Sequence, residues 1–214
     1  ISLMAAKPKV GKSTTARSLV YAVASGAMFL GRPTARGPVV YLALEEKRGE
    51  VRKLFRRMGA KGLPIHIAVG SAPTDAVGAL QSAIRDHAPR LAVIVPLLKL
   101  VRLRDANDYA EVSRALEPLI DLARTSGCHL CGVHHLGKGG GIGGDAVLGS
   151  TALFAAVDTL LLMHRRGTER TIESIQRYGD DMARTSLLLD AGTGIVDVGA
   201  PVAGRQLSTV SDAV

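Results

Sequence analysis

The sequence predicts an α/β protein: a mostly parallel, twisted sheet with helices on both faces and antiparallel strands added at its C-terminal edge. Three observations lead there. Apolar runs at residues 1–3, 39–44, 65–69, 91–97 and 130–133 are mostly too continuous for strands with one wet face, and they suit a parallel sheet covered on both sides. Between them lie stretches at 13–25, 49–58, 74–87 and 109–126 whose apolar residues recur at helical spacing, and this alternation reads as βαβ units. Beyond a short helix at 151–156, strand-like runs at 159–164, 171–177 and 186–189 follow one another at hairpin spacing, which adds antiparallel strands at one edge.

The first run enters a strand directly at Ile1, with no initiating Met, so residues including a further strand are expected upstream. It leads into Ala-Lys-Pro-Lys-Val-Gly-Lys-Ser at 6–13, the phosphate loop G-x-x-x-x-G-K-[ST] with Ala6 in place of its first glycine. In such a loop the backbone N–H groups curl around a β-phosphate. Lys12 reaches the β and γ oxygens, the Ser13 hydroxyl meets Mg²⁺, and the helix that begins at Ser13 turns its positive end toward the same phosphates. Ala6, Lys7, Pro8, Lys9, Val10, Gly11, Lys12, Ser13 and Thr14 are therefore the expected binders of ATP, with Ser13 as the metal ligand. A chance Gly-Lys-Ser in a surface loop is the competing reading, and it explains neither the strand before nor the helix after. The Ala6 methyl is expected to restrict a turn that glycine would make freely.

The run 39–44 ends in Glu45 and Glu46, at the carboxyl end of a strand, where open α/β sheets bind ligands. A carboxylate there can align a water on a γ-phosphate, so Glu45 is the expected base. Glu46 is expected to cap the next helix, whose first turn welcomes acids; the competing reading assigns Glu46 and Glu50 to that turn alone. The run 91–97 should end in the Asp that organises the metal's surroundings, yet Val95 stands there. Asp105 and Asp108 lie further on and read as caps of the helix at 109–126. Mg²⁺ binding and hydrolysis thus lack a group they ordinarily use.

His134 and His135 follow the run 130–133 at its carboxyl end, near where a γ-phosphate would lie. Adjacent strand residues face opposite ways, so at least one of them meets the cleft or a helix layer; a core histidine satisfied by backbone is the alternative. Cys128 and Cys131 form a C-x-x-C that raises zinc or redox chemistry. Strand residues three apart point to opposite faces and cannot share a metal. The glycine-rich stretch 138–144 carries Lys138 and could follow a nucleic-acid backbone; a plain linker fits it nearly as well, and it has no aromatic for base stacking.

In composition the chain suits one domain at 1–198 followed by a weakly patterned tail at 199–214. It has 214 residues, 47% of them hydrophobic and only 3% aromatic, so its core must come from Ala, Val, Leu and Ile. A net charge of +8 favours polyanionic partners and equally fits a solvated basic surface. No apolar run approaches the roughly 20 residues of a membrane span and no signal peptide is visible, so no membrane partner and a cytoplasmic location are expected.

Together these pieces resemble the RecA-like P-loop ATPases, and most closely the RepA-type plasmid and phage replicative helicases and related AAA-25 ATPases. The resemblance covers nearly the whole chain. It rests on residues 6–14, on Gly-Ala-Met-Phe-Leu-Gly-Arg-Pro at 26–33, Tyr-Leu-Ala-Leu-Glu-Glu at 41–46, Val-His-His-Leu-Gly-Lys-Gly at 133–139 and Leu-Gly-Ser-Thr-Ala at 148–152. It implies a RecA core assembled in a ring, usually hexameric, with ATP between subunits and translocation on single-stranded DNA. It also implies that Glu45 is the catalytic glutamate and that His134 and His135 are a γ-phosphate-sensing pair. Arg177, in Ile-Gln-Arg-Tyr-Gly, falls where such proteins carry the arginine finger that enters a neighbour's ATP site. A solvated strand residue is the other reading, since Arg165, Arg166 and Arg170 make the segment basic.

Three functions follow from these residues. A DNA motor predicts DNA-stimulated hydrolysis. A module of the same fold, lacking the carboxylate at Val95, predicts ATP-dependent assembly with little turnover. A small-molecule kinase would need an acceptor-binding lid rich in Arg, of which the chain offers little.

Overall fold

The computed structural model describes residues 1–105, 108–136 and 151–202. In chain order the elements are β1 (Ser2–Ala6), α1 (Lys12–Ser25), β2 (Val39–Ala43), α2 (Arg48–Arg57), β3 (Ile65–Val69), α3 (Ala76–His87), β4 (Leu91–Val95), α4 (Leu97–Val101), α5 (Tyr109–Ser126), β5 (His129–His135), α6 (Thr151–Ala155), β6 (Thr159–Arg166), β7 (Glu169–Gln176), β8 (Thr185–Leu189) and β9 (Val196–Pro201). The expected fold class holds. One sheet runs β3-β2-β4-β5-β1-β6-β7-β8-β9; every pair from β3 to β6 is parallel and every pair from β6 to β9 antiparallel.

The continuous apolar runs are explained by burial on both faces. β1, β2 and β4 are buried at every residue, and their alternate side chains feed two separate cores. Leu3 and Ala5 join the core under α3 to α6, whereas Met4 and Ala6 join the core under α1 and α2. Asp108 caps α5 as its position implied, its side chain accepting from the Glu111 N–H, and Asp75 caps α3 by accepting from Gly78.

Three differences from the sequence reading have local causes. The run 91–97 is not one strand: β4 stops at Val95, because Pro96 has no N–H for the ladder, and α4 starts at Leu97. His134 and His135 lie within β5 as its last two residues, so the parallel ladder with β1 fixes which way each faces. β9 runs over Val196–Pro201, across the boundary expected at residue 198. Its weak alternation concealed it.

The parallel strands bring their carboxyl ends to one edge of the sheet. There β1 opens into the phosphate loop, β2 into Glu45, β4 into Pro96, and β5 ends at His135. Because β6 runs parallel to β1 beside it, the tip of the β6–β7 hairpin reaches the same edge.

Candidate active site

Ala6 is the last residue of β1, wholly buried and paired with His135. It is not among the residues with positive φ, so an L side chain is at ease there and the expected restriction of the turn does not arise. The left-handed positions of the loop are Lys9 (φ 63°) and Gly11 (φ 118°). Gly11 is the N-cap of α1 and has no side chain with which to cap the N–H groups behind it, nor does an acid occupy the first helical turn. A helix start of this kind, preceded by glycine, suits an anion.

Lys12 is 4% exposed, and its Nζ donates to the carbonyls of Ala6 at 2.7 Å and Lys7 at 2.9 Å. Burial pulls its pKa down to about 8. Ser13 and Thr14 are half-buried at the helix start, where Ser13 offers a hydroxyl. The free helix start and the buried ammonium fit a phosphate chain. For Mg²⁺ the protein donors are fewer: Val95 is buried beside Ala43, its carbonyl accepting from the Leu44 N–H at 2.8 Å, and it brings no carboxylate. Among the described residues no three His, Cys, Asp or Glu side chains cluster as metal ligands. The fit for Mg²⁺ therefore rests on Ser13 and the phosphates themselves.

Glu45 is about half exposed, with Lys99 Nζ 3.5 Å from its Oε1. His135 is the exposed end of β5. Burial of the ring, then the Lys12 cation, lower its pKa, while Glu45 raises it, so the three groups act on one another across the same edge. His134 is 5% exposed and pairs in register with Ala5, on the face opposite to the Ala6–His135 pair. The two histidines therefore face opposite sides of the sheet, and His135 is the one on the face of Ala6.

Glu46 does not cap α2, whose N-cap is Lys47 without any side-chain hydrogen bond. Instead both its oxygens accept from Arg17 Nη1 at 3.0 Å, and Oε1 accepts from the Tyr41 hydroxyl at 3.3 Å. The carboxylate thus fastens β2 to the buried flank of α1. Burial, reinforced by Glu46, pushes the Tyr41 phenol well above its ordinary range.

Arg177 lies at the other end of the molecule. Thr159 pairs with both Ser2 and Gln176, so Arg177 sits by the amino end of β1, whereas the phosphate loop leaves its carboxyl end. Five residues of strand separate these ends by about 17 Å. There Arg177 Nη1 faces Asp158 at 3.5 Å, and Nη2 donates to the Ala155 carbonyl. Lys138 falls outside the described residues. Cys128 and Cys131 are buried free thiols in opposite cores, as their spacing implied.

Two residues that the sequence offered only as basic background touch the loop. Arg170 Nε donates to the Val10 carbonyl at 2.9 Å, and Arg165 Nη1 to the Lys9 carbonyl at 3.4 Å. Only the placement of β6 next to β1 reveals them, and no local motif encodes that.

A family model described as AAA domain (AAA_25) matches residues 1–141. Among solved structures, the crystal structure of a KaiC-like protein from the hyperthermophilic archaeon Pyrococcus horikoshii OT3 superposes with a TM-score of 0.64 at 16% identity, over 92% of this chain and 88% of that one. At that identity the likeness bears on the fold. No curated protein sequence matches the chain.

Proposed function

Since this chain belongs to the AAA_25 family of AAA domains, we propose that its RecA-like ATPase fold works as a motor of the RepA type, cleaving ATP between subunits of a ring that acts on single-stranded DNA. The observation that carries this reading is the convergence, at one sheet edge, of the phosphate loop, Glu45 and His135, which come from three separate strands.

Each residue then has a task. The uncapped start of α1 holds the β-phosphate, and Lys12 exchanges its two carbonyl acceptors for phosphate oxygens. Ser13 would hold Mg²⁺, which when bound would supply neutralisation of charge on the phosphate oxygens. Glu45, about half exposed and paired with Lys99 at 3.5 Å, takes the proton of the attacking water. His135, its pKa lowered, stays neutral at pH 7 and can donate one hydrogen bond toward the γ-phosphate. Arg177 is too far along the sheet to serve its own loop. In a ring whose head-to-tail interface set the amino edge of one subunit against the carboxyl edge of the next, the Arg177 guanidinium would stabilise transition-state charge in trans. The net charge of +8 and Lys138 supply attraction for a DNA backbone.

Val95 favours a second reading. An apolar side chain where the metal's carboxylate belongs suits a module in which ATP assembles subunits and is turned over slowly. Phosphate release with and without single-stranded DNA, measured for the unmodified chain, Glu45→Gln and Val95→Asp, separates the two. DNA-stimulated turnover abolished by Glu45→Gln supports the motor; negligible turnover that rises by orders of magnitude in Val95→Asp supports the module. Failure to bind ATP at all would sink both.

A further inference from the structure

The phosphate loop is gripped from outside by the β6–β7 hairpin, and from this contact we infer that Arg170 is a positioning residue for the β-phosphate of a nucleoside di- or triphosphate. The inference rests on the reading that the loop holds a nucleotide. Arg170 Nε donates to the Val10 carbonyl at 2.9 Å, while its Nη1 donates to the Thr168 carbonyl at 3.4 Å within the hairpin tip. A Cβ on Gly11 would stand 3.7 Å from Arg170 Cδ, so the side chain lies against the loop where glycine leaves room. Arg165 repeats the contact one residue earlier, on the Lys9 carbonyl.

A trans peptide is a rigid plane whose C=O and N–H point opposite ways. Holding the Val10 carbonyl toward Arg170 therefore turns the Gly11 N–H away from Arg170, and holding the Lys9 carbonyl does the same for the Val10 N–H. Gly11, at φ 118°, has the conformational freedom to let its plane turn over if nothing restrains it. The hairpin supplies that restraint. Arg170 then acts on nucleotide through the loop, without touching phosphate itself.

The test is equilibrium binding of fluorescent mant-ADP and mant-ATP to the full chain and to Arg170→Ala and Arg170→Gln. Losing a hydrogen bond from a charged donor weakens binding by roughly ten- to a hundredfold. Arg170→Ala is expected to show that loss equally for both nucleotides, because both carry the β-phosphate. Arg170→Gln, which keeps an N–H donor without the charge, is expected to lose less, and it carries the test if the alanine variant fails to unfold cooperatively. A loss confined to mant-ATP would mean direct contact with the γ-phosphate and overturns the inference, as does undiminished binding. Absence of binding by the unmodified chain sinks the nucleotide reading and this inference with it, whereas binding that both variants leave intact sinks this inference alone.

Discussion

Nucleotide binding should take up protons at alkaline pH, and Lys12 sets how many. In the free protein its ammonium is buried and its pKa lies near 8, lowered from 10.5. Burial disfavours the charged form, so the unfolded chain holds this proton more tightly than the folded one, and the free protein should gain stability as pH rises from 8 toward 10.5. Bound phosphates reverse the balance by favouring the ammonium. If they restore the ordinary pKa, each binding event takes up about 0.1 proton at pH 7, about 0.5 at pH 8 and about 0.9 at pH 9. Above pH 8 affinity should then fall by about five- to sevenfold per pH unit. Calorimetry of ADP binding in buffers of differing ionisation enthalpy reads the proton count directly. Lys12→Met should abolish the rise. Uptake that stays flat from pH 7 to 9, or that falls as pH rises through that range, refutes the reasoning.

Further outcomes concern the remaining parts of the site. Glu45→Gln should cut phosphate release by at least about a hundredfold while leaving the Kd for ATP within a few-fold, as measured by single-turnover kinetics and equilibrium binding. Arg177→Ala should bind nucleotide normally yet lose on the order of 10³ in kcat, and subunits of Arg177→Ala mixed with subunits of Glu45→Gln should regain part of the activity at interfaces that pair an intact finger with an intact base. Arg17→Met leaves Glu46 without its guanidinium in a largely buried site and should cost about 3 kcal/mol in urea unfolding, a loss that Arg17→Met combined with Glu46→Leu should partly recover.

What the sequence revealed and what it hid divide along one line, the distance over which a residue's role is decided. The octad at 6–13 was legible because strand, loop and helix are contiguous, and the parallel sheet was legible because burial on both faces leaves unbroken apolar runs. Glu46 was misread because its role depends on Arg17, 29 residues earlier, while the helix that follows it supplied a sufficient local explanation. The histidine pair could be narrowed but not resolved, since only register with β1 says which of His134 and His135 faces the loop. Arg165 and Arg170 were invisible for the same reason: strand order is a property of the assembled sheet. The short helix α4 was concealed by hydrophobicity itself, because Leu97 and Leu98 continue an apolar run that Pro96 had already ended as a strand.

The strand β7 has one arginine near each end, Arg170 against its own phosphate loop and Arg177 just past its last residue. Seven steps of extended chain put these about 23 Å apart. Along that span every residue of β7 is in register with β6, from Glu169 opposite Arg166 to Gln176 opposite Thr159, which leaves the strand no slack. If the proposed ring forms with Arg177 as its finger, the strand would behave as a tie-rod: a shift of the loop in one subunit would be felt at Arg177 against the next, with no hinge between. Timing between neighbouring sites would then depend on the length of one strand, and a single glycine inserted into it would leave each site chemically whole while uncoupling it from its neighbour.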